Sequence, residues 1–193
     1  MKQIFILFFL LFSFQLFSQS DTSYYKVGDL APDFMCRDQY GNNLELDKLL
    51  KKGPVLLFFY RGYWCPHCRR EISDMQDSLD LLVSKGVTVI AVTPESIESI
   101  EKTMQKTNAS FHIVFDEDHN IMNIFKLSFE LKGPKKTIYK LGGINLKSIN
   151  GEKDDILPVP ATYLIGKDRR IKYLFYDVDY TKRARVSDIL KHI

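Results

Sequence analysis

The stretch Val55-Leu56-Leu57-Phe58-Phe59-Tyr60, running straight into Arg61-Gly62-Tyr63-Trp64-Cys65-Pro66-His67-Cys68, decides how the rest of the chain reads. An unbroken apolar run with turn signals on both sides predicts a strand buried on both faces. Behind the cysteines, Ile72, Met75, Leu79 and Leu82 recur at spacings of three and four, which predicts a helix from about Pro66 to Ser84. The cysteine pair therefore stands where a buried strand hands over to a helix.

Working outward, Gly86 ends that helix and Val87 to Val92 predicts a second buried strand. Pro94-Glu95 is expected to open another helix, with Ile97, Ile100 and Met104 on one face, because proline suits a first helical turn. His112 to Phe115 reads as a short strand and Asn120 to Phe125 as a short helix. Ala161 to Ile165 and Ile171 to Tyr176 read as a hairpin across Gly166-Lys167-Asp168-Arg169, and a last helix is expected over Arg183 to His192. Upstream, Asp33 to Arg37 predicts an extended segment, Tyr40 to Asn43 a turn, and Leu44 to Leu50 a short amphipathic helix stopped by Gly53-Pro54. Strands alternating with helices imply a central mixed β-sheet flanked by helices, an α/β thioredoxin-like fold with an N-terminal extension. Lys126 to Pro158 fits no element cleanly, and reads either as a functional loop or as a surface insertion with one short helix.

The chain has 193 residues, a length that suits one domain, and a formal net charge of +3, which gives no reason to expect nucleic acid as a partner. Its first residues are of another composition. Lys2 precedes an apolar run from Ile4 to Phe12, then Ser13 to Phe17, then Ser18-Gln19-Ser20, the pattern of a cleavable signal peptide. As helix, Ile4 to Phe17 would span roughly 21 Å, short of the roughly 30 Å of a bilayer core. The expected organisation is a signal peptide at 1–20 and one domain at 21–193, working in the periplasm or outside the cell without a membrane in its mature form.

Three cysteines are too few for a disulfide scaffold. In an oxidising compartment a Cys-x-x-Cys pair suits a redox device better than a staple, since closing so small a loop constrains the unfolded chain little. A helix N-terminus favours a thiolate at Cys65, while Cys68 would lie one turn inside. Pro66 stiffens the turn, and His67 is expected to place positive charge beside Cys65 and make the disulfide more oxidising. Val159-Pro160 before the strand at Ala161 is a candidate cis peptide abutting the dithiol. The expected catalytic residues are Cys65, Cys68, His67, Pro66 and Pro160, and the expected substrate-binding residues are Trp64, Tyr63, Arg61 and Val159. Cys36 reads as a small buried hydrophobe.

Arg61 to Cys68 resembles the signature of the peroxiredoxin-like branch of the alkyl hydroperoxide reductase/thiol-specific antioxidant (AhpC/TSA) superfamily. Gly28 to Phe34 resembles that superfamily's opening; Leu157 to Tyr163 and Asp179 to Arg183 resemble this branch's closing segments. The resemblance implies Cys68 at the peroxidatic position, with Cys65 in place of the usual threonine, Arg61 in place of the usual proline and Pro160 where a distant arginine is expected. Arg61 and Arg69 are the candidates to replace the missing helpers. Two mechanisms follow. In a thiol–disulfide oxidoreductase, the favoured reading, Cys65 attacks and Cys68 resolves; in a thiol peroxidase, Cys68 takes the peroxide oxygen and Cys65 condenses with the sulfenic acid. A third reading is a copper carrier using Cys65, Cys68 and His67. No cofactor or resident metal is expected, and the partner is a thioredoxin-type thiol or disulfide protein, or a peroxide.

Overall fold

The computed structural model describes residues 24–193. The expected signal peptide lies outside them. A hairpin of β1 (Met35–Arg37) and β2 (Asn43–Glu45) leads into α1 (Leu46–Lys52) and then the buried strand β3 (Val55–Phe59). Helix α2 (Pro66–Asp77) and α3 (Leu79–Ser84) follow, then β4 (Thr88–Thr93), α4 (Ile97–Thr107), β5 (His112–Phe115) and α5 (Asn120–Ile124). The hairpin β8 (Ala161–Ile165) and β9 (Ile171–Tyr176) closes the sheet, and α8 (Val186–Ile189) with a 3-10 turn at Leu190–His192 ends the chain. Between α5 and β8 the chain forms β6 (Ser128–Glu130), α6 (Pro134–Leu141), α7 (Leu146–Ile149) and β7 (Ile156–Pro158).

The central sheet has the order β5-β4-β3-β8-β9. β3 runs parallel to β4 and antiparallel to β8, so it is the middle strand and the point where the sheet changes sense. Its side chains divide between two cores. Leu57 and Phe59 pack on one face with Phe125, Tyr163 and Leu46. Leu56, Phe58 and Tyr60 pack on the other with Cys65, Cys68, Ile72 and Met75. A strand buried on both faces can be apolar throughout, as this one is. Cys36 packs against the first core and the dithiol belongs to the second, so the sheet separates the third thiol from the other two. Burial and the charges of Asp116 and Asp38 push the Cys36 thiol up to about 12, in keeping with an inert, partly buried cysteine.

Four expectations need correction. The helix from Pro66 breaks at Ser78 (φ −103°, ψ 4°), where Asp77 and Ser78 are poor residues for a helix interior, and restarts as α3. Helix α4 begins at Ile97 with Ser96 as its cap, Ser99 N donating to Ser96 Oγ at 3.3 Å. Pro94 and Glu95 stay outside it because the Glu95 carboxylate is held elsewhere. The last helix is confined to Val186–Ile189 and its 3-10 turn, because Arg183 is drawn into the protein. The 126–158 segment is more ordered than the sequence suggests: β6 and β7 pair antiparallel, Ser128 opposite Pro158, and Pro134 takes the first-turn position of α6.

Phe125 joins the ring cluster beneath the sheet, with centroids 5.4 Å from Phe59 and 4.9 Å from Tyr163. Phe125→Ala is expected to cost about 3–5 kcal/mol by leaving a cavity in this core, read as a lowered midpoint in chemical denaturation.

Candidate functional site

The dithiol lies where the geometry of β3 and α2 puts it. Gly62 adopts φ +148°, and a Cβ there would stand 2.4 Å from Trp64 Nε1 and 2.9 Å from Glu95 Oε1. Only glycine lets the chain turn this closely. Glu95, buried between β4 and α4, fixes the turn from beneath: Tyr63 N donates to its Oε1 at 2.5 Å and Thr103 Oγ1 to its Oε2 at 2.8 Å. Burial pushes Glu95 up to about 7 against these hydrogen bonds.

Cys65 is the N-cap of α2. The backbone N–H of Cys68 donates to its sulfur at 3.3 Å, and Pro66 occupies the first helical position. Arg61 Nη2 donates to the same sulfur at 3.6 Å. The Cys68 thiol is the strongest influence holding Cys65 well below the ordinary thiol range; burial opposes it and Arg61 adds to it. Cys68, on the inward face of α2 with Ile72 and Met75, is pushed well up by burial and by the Cys65 sulfur. The two sulfurs are thus pushed in opposite directions, Cys65 toward the thiolate and Cys68 toward the thiol. Both residues are fully buried, so Cys68 is no more enclosed than Cys65, against the expectation that it would be the more buried of the two.

Arg183 was visible to sequence reading only as part of a resembling segment, yet it is central. Its Nη2 reaches Cys68 Sγ at 3.2 Å and Cys65 Sγ at 3.9 Å, and its Nε pairs with Glu71 Oε2 at 2.8 Å. Its Nη1 donates to the carbonyls of Tyr180 and Lys182, which shapes the strap after β9. Glu71 also accepts from Thr162 Oγ1 at 3.3 Å, tying α2 to β8. Burial pushes Glu71 up to about 8, with Arg183 and Thr162 opposing. An acidic residue on the buried stripe of α2, beside Cys68 and Ile72, is the signal that could have found it.

The other expected residues are placed as follows. Arg61 is nearly buried; Nη1 donates to Tyr139 Oη at 3.1 Å, and the guanidinium lies 4.0 Å from the Tyr180 ring and 5.2 Å from the Trp64 ring. Trp64 packs edge-on to Tyr139 of α6 at 5.2 Å, so the 126–158 segment forms part of the site. Arg69 is turned away, donating to the Tyr63 carbonyl at 2.6 Å. Tyr63 sits beneath Lys102 and Lys106 of α4. His67 stacks edge-on against Tyr180 at 6.0 Å. Val159 and Pro160 line a cavity of about 260 Å³ together with Arg61, Tyr139, Tyr180 and Lys135. The Val159–Pro160 peptide is trans, like every described peptide bond, which corrects the expectation of a cis bond; Val159 N donates to Leu127 O at 2.8 Å and holds the loop in extended register with β6. Among the described residues no three His, Cys, Asp or Glu side chains are grouped as metal ligands.

The model of the AhpC/TSA family matches residues 27–174. The chain belongs to the AhpC/TSA family. Its relatives fall on two sides of that family's chemistry. The thiol-disulfide oxidoreductase ResA of Geobacillus kaustophilus is 26% identical over 168 residues, 86% of this chain and 76% of that protein. The peroxiredoxin Bcp of Escherichia coli is 27% identical over 152 residues, 79% of this chain and 86% of that protein. Among solved structures, PrxQ of Xylella fastidiosa superposes with a TM-score of 0.66 at 18% identity, over 88% of this chain and 95% of that one. The AhpC/TSA fold is thus the thioredoxin-like sandwich expected from the element order, and the protein is a thiol-dependent oxidoreductase.

Two outcomes are expected from this geometry. Arg61→Met should move the thiolate titration of Cys65, followed by ultraviolet absorbance, upward by about 1–3 pH units, because an opposite charge is removed. Glu95 ionises near 4.5 when unfolded and near 7 when folded, so its stabilisation is complete below 4.5 and is lost as pH rises through 7. Between those values the wild type should lose on the order of 3 kcal/mol more stability than Glu95→Gln, measured by denaturation at each pH.

Proposed function

We propose that the protein is an exported thiol–disulfide oxidoreductase in which Cys65 is the attacking nucleophile and Cys68 the resolving thiol. The observation that carries this is the asymmetry of the two sulfurs: Cys65 is capped by the Cys68 amide and by Arg61, whereas Cys68 is kept protonated by burial. The Cys65 thiolate attacks one sulfur of a partner disulfide, forming a mixed disulfide and expelling a thiolate. Cys68 then loses its proton and attacks Cys65, closing the Cys65–Cys68 bond and releasing the second partner thiolate. Arg183 beside Cys68 favours the deprotonation that this second step needs, and Glu71 positions Arg183. Trp64, Arg61 and Val159 border the approach to Cys65, and a thioredoxin-type protein fits as electron donor or acceptor.

Export rests on the leader at residues 1–20, and the mature chain is expected to begin near residues 19–21; the mass of the protein recovered from a secreting host reads this directly. A second reading is supported by one contact. Arg183 within 3.2 Å of Cys68 supplies the guanidinium that the sequence lacked for peroxide chemistry. There Cys68 would take one peroxide oxygen as a sulfenic acid, releasing the alcohol, and Cys65 would condense with it, releasing water.

The cysteine variants separate the two. Under the lead reading, Cys65→Ser abolishes insulin reduction, Cys68→Ser stalls as a mixed disulfide with the partner, and peroxide turnover is negligible in all forms. Rapid peroxide consumption by the wild type, lost in Cys68→Ser while Cys65→Ser still forms a sulfenic acid, would establish the peroxidase instead.

A further inference from the structure

We propose that the cavity beside Arg61 is a binding site for a small amphipathic carboxylate, an acid group on an aromatic or short aliphatic body, filled preferentially when Cys65 and Cys68 are joined as a disulfide. The proposal rests on the reading of Cys65 as the thiolate in the reduced protein.

The walls of this 260 Å³ cavity are apolar, supplied by Phe129, Leu131, Val159, Pro160 and Val178, with room for a ring on a short chain. Its charged lining residues are Arg61 and Lys135, and no acidic residue lines it. Lys135 is exposed on the first turn of α6.

Arg61 supplies the stronger argument. It is 3% exposed, yet among the described residues no carboxylate lies within ion-pair distance of it. Its partners are the neutral Tyr139 hydroxyl, two aromatic faces and the Cys65 sulfur. Its Nε is buried with no hydrogen-bond partner. In the reduced protein the Cys65 thiolate is therefore the one anion that balances this guanidinium. When the Cys65 thiolate and Cys68 thiol reduce a partner disulfide to a thiol and a thiolate, the sulfurs become joined and uncharged. Arg183 keeps Glu71 as a partner in both states. Arg61 is left as a buried cation without one, a costly condition that an incoming carboxylate relieves. The uncompensated guanidinium charge and the apolar walls then select the ligand together, the first its charge and the second its body. By reciprocity, such a ligand stabilises the disulfide as much as the disulfide favours the ligand.

The test is a titration of phenylpropionate into the disulfide and dithiol forms of the purified protein, followed by the fluorescence of Trp64, the chain's single tryptophan. The disulfide form should bind at least about tenfold tighter, so that saturating acid lowers the reduction potential by about 30 mV for each tenfold of preference. The neutral isostere phenylpropionamide should bind the disulfide form more weakly than the acid. Lys135→Glu should weaken the acid and leave the amide unchanged. Equal binding of acid and amide by the disulfide form overturns the site. Equal binding of the acid by both redox forms overturns the redox linkage, and ultraviolet absorbance of the same dithiol sample says which premise failed. With the thiolate present, the fault lies in the cavity; with it absent, in the reading of Cys65.

Discussion

A buried sulfur on which hydrogen-bond donors converge, at the seam between β3 and α2, is the constraint that the rest of the site serves. Burying an anion is costly unless donors converge on it, and here they come from the Cys68 amide and from Arg61. The amide is available only because Cys65 stands at the first turn of a helix, where backbone donors have no helical partner. Arg61 is available because Gly62 turns the chain sharply just beyond it. The turn in turn depends on Glu95, which lies two residues before α4 and holds Tyr63 N in place of opening that helix. Each piece looks local, yet removing any one leaves the thiolate short of a partner.

The second sulfur is governed by contacts between distant parts of the chain. Glu71 comes from α2, Thr162 from β8 and Arg183 from the strap after β9, and the three meet beside Cys68. A buried carboxylate–guanidinium pair contributes little net stability, since desolvation of both charges offsets their attraction. What it does supply is position: Arg183 is delivered to within reach of both sulfurs.

The fold was legible because β3 is apolar without interruption, β4 and β8 are largely so, and the helices between them carry clear periodicity. The family was legible because the Arg61–Cys68 motif is dense in unusual residues. Boundaries were less so, because Ser96, not Pro94, caps α4, and a capping hydrogen bond depends on where the loop places a hydroxyl. The 126–158 segment escaped because its strands are three residues each, too short to show alternation, and pair with each other across nearly thirty residues. Of the site, Cys65, Cys68, Arg61 and Trp64 could be named from the motif itself. Arg183 and Tyr139 could not be, since their roles arise from tertiary contacts that no spacing encodes, and Glu71 was marked only by its acidity on the buried stripe of α2. Arg61 donates to the Cys65 sulfur, and the His67 ring faces Tyr180.

The complete burial of Cys65 has a kinetic side. With Arg61 against its sulfur and the Tyr180 ring against Arg61, a small thiol reagent in solution meets a shut door, however nucleophilic the sulfur behind it. Its reaction rate then reports how often the protein opens around the buried sulfur, and says little about the sulfur's reactivity. A partner protein that pries Tyr180 from Arg61 as it docks would gain selectivity from that act alone, because indiscriminate oxidants lack the surface to do the same.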